Sequence, residues 1–129
     1  MLSSLFQSTT IPVLQEVLSF SQARHAVLAG NIANVDTPGY HTRDIDFQGE
    51  LNRAMSNVLN HSGDDGVTAQ LNPVVQEVPN LMERADGNNV NLDREGLLMS
   101  ETQLQYQMGV QLVKLQFHQM LSAINGGGQ

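Results

Sequence analysis

The chain has 129 residues, a net charge of −7 and no cysteine, so one modest domain is the scale of the problem, and disulfides, thiol nucleophiles and cysteine-ligated metals are excluded. Hydrophobic residues make up 40% and aromatic residues 5%, with no tryptophan, which leaves few large side chains to anchor a core and points to burial completed by partners. An acidic chain without a basic patch lacks the footprint for phosphate backbones, so nucleic acid is not an expected partner.

The charge is unevenly spread: −1 up to Tyr40, zero from Leu97 to Gln129, and −6 between them. The ends are built for burial against something and the middle for water. No run approaches the roughly 18 to 20 consecutive apolar residues of a membrane span, so direct membrane insertion is not expected. Residues Met1 to Gln7 show neither a basic nor an apolar signal region, so no cleaved leader is readable.

Ile11, Leu14, Leu18, Ser21, His25, Leu28, Ile32 and Val35 recur at steps of three and four, which places them on one stripe of an α-helix. Pro12 suits a first turn, with Thr9 or Thr10 as N-cap, and Pro38-Gly39 ends the helix. Phe47, Leu51, Met55, Val58 and Leu59 predict a short amphipathic helix over about 46–60. Residues 61–91 are rich in Gly, Pro, Asp and Asn and read as an irregular or mobile insertion, in which only 73–78 has the makings of a strand.

The C-terminal helix is predicted from two apolar stripes. One is Tyr106, Val110, Val113, Phe117, Met120 and Ile124; the other is Leu97, Leu104, Met108, Leu112, Leu115 and Leu121. Together they wrap beyond the ~100° that one neighbour covers, so this helix needs cover from several sides. Asp93 is its expected N-cap, and Gly109 inside it marks close approach by another backbone. The expected fold is mainly α: long N- and C-terminal helices paired as a coiled-coil-like domain (residues 1–40 and 92–125), with a middle segment 41–91 holding the short helix and the partly extended insertion. Leu14, Leu18, Leu28 and Ile32 on the first helix, and Leu104, Met108, Leu112, Leu115, Phe117 and Met120 on the last, are the expected packing residues.

Sites for chemistry are weak. Asp36, His41, Asp44 and Asp46 could be metal ligands, but closed sites seldom come from one short polar stretch, and two of these acids flank Ile45 in what reads as a capped turn. Asn91, Asp93, Glu95 and Gly96 mimic a calcium loop whose last ligand would be Thr102, where a bidentate glutamate is needed. His25 and His118 sit among apolar helix neighbours, where packing is the commoner role. No nucleophile has partners at a recognisable spacing. The reading therefore assigns no catalytic, cofactor or metal residue. The Gln103, Gln105, Gln107, Gln111, Gln116 and Gln119 series reads as neutral amides for crowded helices.

The run Leu28-Ala29-Gly30-Asn31-Ile32-Ala33-Asn34-Val35-Asp36-Thr37-Pro38-Gly39-Tyr40 resembles the N-terminal signature of bacterial flagellar rod, hook and hook-associated proteins, with Gly30 where alanine is commoner. The continuation His41 to Phe47, with Asp86-Gly87-Asn88, Leu92 to Glu95 and Tyr106 to Gly109, looks like a proximal rod subunit of that family. The Tyr-Pro-Asn stretch usual in the FlgC rod subunit is absent. The resemblance implies a non-enzymatic subunit of a helical assembly. It implies export unfolded, without a cleaved signal peptide, through the flagellar export apparatus to the periplasmic rod of the basal body. It also implies contacts with sister copies, FlgC, FlgF and the adaptor FliE, and makes Asn31, Asn34, Thr37, Pro38, Gly39 and Tyr40 assembly determinants. From the residues alone, a helical adaptor binding one partner through the C-terminal helix is the alternative, and a metal-dependent hydrolase a distant third.

Overall fold

The structure is a computed structural model that describes residues 2–60 and 73–126, with side chains described outside 2–10, 58 and 59. Among the described residues the order is α1 (Leu2–Ala33), β1 (Arg43–Ile45), α2 (Phe47–Asn60), β2 (Val75–Glu77) and α3 (Leu92–Gly126). The expected mainly helical class, with long terminal helices and a short middle one, is what the chain adopts.

Helix α1 is longer than its apolar pattern predicts. It begins at Leu2, so Thr9 and Thr10 are interior and Pro12 lies inside the helix. Proline removes the bond to the carbonyl of residue 8, but Pro12 is exposed and water can serve the carbonyl on that face. The C-terminus comes earlier than expected, at Ala33. The amide of Asn34 is shared between the carbonyls of Gly30 (3.1 Å) and Asn31 (3.2 Å), and the chain then unwinds through Val35 to Ile32 and Thr37 to Asn34 turns. Pro38 and Gly39 therefore make the turn after the helix rather than stopping it, and Val35 is not on the helical stripe.

The expected stripe on α1 is the buried one, with Leu14, Ser21 and Leu28 at spacings of seven. A second face of α1 carries Phe20, which meets Phe47 of α2 edge to face with ring centroids 5.9 Å apart. Asp46 caps α2, its Oδ1 accepting from the Gly49 amide at 3.0 Å. The strand expected within 73–78 forms: β2 runs antiparallel to β1, with Ile45 opposite Val75 and Arg43 opposite Glu77. The first part of the presumed mobile insertion, 61–72, lies outside the described residues. Two later parts are tied down instead: 75–77 pair with β1, and Asn88, Asn89 and Val90 are buried.

On α3 the N-cap is Asn91, whose Oδ1 accepts from the Arg94 amide at 3.1 Å, rather than Asp93. Its buried residues are Glu95, Thr102 and Gly109, seven apart, so the side turned to α1 is polar or small. Gly109 does mark a close approach, but to a side chain: a Cβ there would lie 2.9 Å from Leu18 Cδ2. Alanine at 109 is expected to be nearly neutral, because Leu18 can rotate and helix propensity gains about 1 kcal/mol. Valine at 109 should cost about 1 to 3 kcal/mol by overpacking. Leu18→Ala should remove most of that cost, as denaturant titration of the single and double variants would measure.

Candidate assembly site

The site is the junction where α1 ends, the chain turns through Gly39, and α3 begins. Asn31 is fully buried at its centre. Its Nδ2 donates to the Arg43 carbonyl at 2.7 Å and to Glu95 Oε2 at 2.8 Å; its Oδ1 accepts from the Arg43 amide at 3.0 Å and from the Tyr40 hydroxyl at 3.1 Å. One amide thus uses its full capacity to join α1, the turn, the edge of β1 and α3. Glu95, also fully buried, is neutralised on its other oxygen by Arg94 at 2.6 Å.

A second asparagine closes the turn from the other side. Asn88 Nδ2 donates to the carbonyls of Asn34 and Thr37, each at 2.9 Å, beside the turn amides of Thr37 and Tyr40 that those carbonyls already accept. Asn89 repeats the device, its Oδ1 accepting from the Thr42 amide at 2.6 Å. Asn34 Nδ2 caps the Gly30 carbonyl at 2.8 Å, and the Thr37 hydroxyl donates to Asn34 Oδ1 at 3.1 Å. Arg84 reaches the Val35 carbonyl.

Gly39 sits at φ +71° and donates its amide to the Asp86 carbonyl at 2.9 Å. Gly87, at φ +80°, faces it so closely that a Cβ would stand 3.4 Å from Gly39 Cα. Both need the left-handed region that β-branched residues avoid. Below the turn, Arg24 of α1 holds Asp44 through two bonds of 3.0 Å. That pairing pushes the Arg24 pKa above its ordinary value, against the opposing effect of burial.

The stretch 36–46 does not converge on a metal. Asp44 goes to Arg24, Asp46 caps α2, and His41 stands between Glu77 (3.3 Å) and Glu83 (3.1 Å). Among the described residues no group of three or more His, Asp or Glu side chains is arranged to hold a metal ion. The junction has the chemistry of a joint, with its polar groups directed at one another.

Sequence reading placed Asn31, Asn34, Thr37, Pro38, Gly39 and Tyr40 at one turn, and all six lie there. It gave no role there to Asn88 and Glu95, which it quoted in the family resemblance, and missed Asn89 and the Arg24–Asp44 pair. Of the expected packing residues, Leu14 and Leu28 are buried and Leu18, Ile32 and Met120 half-buried, whereas Leu104, Met108, Leu112, Leu115 and Phe117 are 48% to 58% exposed in the single chain.

Comparison with known proteins identifies the family. The family described as flagella basal body rod protein matches residues 13–41, the part of α1 and the turn that hold Asn31 and Gly39. The flagellar basal body rod protein FlgB of Salmonella typhimurium is 35% identical over 125 residues, covering 88% of this chain and 91% of the relative. FlgB of Escherichia coli K12 is 36% identical over 126 residues and that of Proteus mirabilis HI4320 32% over 127, with the same coverage. The chain belongs to the FlgB family of flagellar basal body rod proteins.

The geometry separates packing from hydrogen bonding at position 31. Asn31→Ala should lose roughly 2 to 4 kcal/mol, because Glu95 and the Arg43 backbone lose buried partners. Asn31→Asp, though isosteric, should cost at least as much, since it sets a second carboxylate against Glu95. Urea melts of both variants at neutral pH would test this. Near wild-type stability for Asn31→Asp would mean that shape alone matters there.

Proposed function

We propose that the chain is a structural, non-enzymatic subunit of the proximal rod, polymerising through its terminal helices to form part of the drive shaft and the wall of the export channel. In this reading residues 1–40 and 92–125 form the rod-core domain, and 41–91 form the middle segment. The observation that carries this is the outer surface of α3. Leu97, Leu104, Met108, Leu112, Leu115, Phe117, Leu121 and Ile124 are each 48% to 70% exposed.

At about 100° per residue, Leu97, Leu104, Met108 and Leu115 fall on one line away from α1, while Phe117, Leu121 and Ile124 fall on another flank. A single-partner adaptor needs one such face. Apolar surface on two faces of a helix that α1 covers only on a third favours several neighbours, and contacts that are not self-complementary extend an assembly instead of closing it. The FlgB relatives supply the flagellar basal body as the setting; in the proposed reading the chain is exported unfolded through the flagellar export apparatus without a cleaved leader, assembles in the periplasm, and has sister copies, FlgC, FlgF and FliE as neighbours.

Because Leu112 and Phe117 are half-exposed in the single chain, truncating them should barely change its own stability. If assembly buries them, Leu112→Ala and Phe117→Ala should each remove ~2 to 5 kcal/mol per subunit from the contact. Export into the periplasm is expected at wild-type level, with few intact basal bodies and little motility. Normal basal bodies in both variants would contradict this reading.

A further inference from the structure

From Leu97 to the end of α3 the only Asp, Glu, Lys or Arg side chains are Glu101 and Lys114. Both are exposed, and among the described residues neither has an ion-pair partner. Arg24 lines the same cleft as Glu101, but two bonds of 3.0 Å commit its guanidinium to Asp44. Nor can the two charges reach each other within one chain. Thirteen positions of helix separate them by roughly 20 Å along the axis and about 140° around it.

Each charge stands on a different one of the two exposed apolar flanks. Glu101 lies among Leu97, Leu104 and Met108, which are 57% to 70% exposed and occupy positions four before, three after and seven after it. Lys114 lies beside Phe117 and Leu121, 52% and 55% exposed, at three and seven positions after it, with the exposed Gln111 and His118 on its other side.

We propose that the Glu101 flank of one copy docks on the Lys114 flank of a second copy, with the two side chains paired across the contact; the proposal rests on the polymerising-subunit reading and names one of its contacts. Charge complementarity selects the occupant. Covering either flank takes water from a lone charge, a cost that an opposite charge facing it offsets. A contact centred on two copies of the same flank would set like charges together. The chain itself supplies the complement: one helix carries an anionic and a cationic apolar flank, aimed in different directions. A copy that gives its Glu101 flank to one neighbour still offers its Lys114 flank to the next, so the contact is heterologous and continues.

Charge exchange tests this. Glu101→Lys and Lys114→Glu are each expected to leave export unchanged and to lower entry into basal bodies about 10-fold, while both exchanges in one chain should restore entry to within about twofold of wild type. A partner of another kind would meet two reversed charges, so a double variant no better than the singles overturns the contact between copies while leaving the rod reading intact. Wild-type entry of both single variants does the same. The second measurement leaves Arg24 facing no added charge. The chain has no cysteine, so a Glu101→Cys, Lys114→Cys chain in isolated basal bodies, treated with a short-arm bismaleimide, should give linked species of two, three and more copies. Each single-cysteine chain should give none. Dimers from a single-cysteine chain, or no links from the double one, refute the pairing; failure of the wild-type chain to enter basal bodies overturns both readings.

Discussion

The Asn31 side chain sits where α1, the turn after it, β1 and α3 meet, and each of its four bonds goes to a different demand. Two run to the Arg43 backbone, one to the Tyr40 hydroxyl and one to Glu95. A buried amide satisfied in this way is specific about geometry, because any shift of α3 relative to α1 breaks a bond that water cannot replace. The register of the helix pair follows from it. With Glu95 fixed opposite Asn31, Thr102 and Gly109 come to the seam at the next heptads, and Leu18 packs over the missing Cβ of Gly109.

That register has a cost in core. The buried apolar side chains among the described residues are Leu14, Phe20, Leu28, Ile45, Ala54 and Val90, a thin set for a chain of this length. The last helix offers α1 its polar and small positions and turns most of its leucines outward. In a monomer this would be poor design, since exposed apolar faces invite association. In a subunit whose neighbours arrive later, it reserves the strongest hydrophobic surface for the assembly, and the polar junction keeps the pair aligned until then.

Much of this was legible. The stripe on α1 was right because Leu14, Ser21 and Leu28 obey the simple helical period, and the middle helix and the strand near Val75 followed from pattern and turn residues. The inward face of α3 was not legible, because apolar periodicity there follows the exposed outer surface of the helix, while the positions that meet α1 are Glu95, Thr102 and Gly109. The turn residues were found through a family signature, but their long-range partners were not. Nothing in Asp86-Gly87-Asn88-Asn89 distinguishes a surface loop from a segment whose Asn88 braces a turn more than fifty residues away. A proline in a first-turn context was misread for a comparable reason: the pattern shows the missing donor but not whether water can reach the carbonyl it leaves open.

The central claim is that the outer face of α3 is exposed in the folded single chain and covered only by assembly. Met108 lies on that face and is 58% exposed, so its rate of oxidation by dilute peroxide reports the cover directly. Mass spectrometry of the Met108 peptide, from the purified chain and from isolated basal bodies, should show rapid oxidation in the first and slowing of at least roughly tenfold in the second. Equal rates in the two would contradict the account.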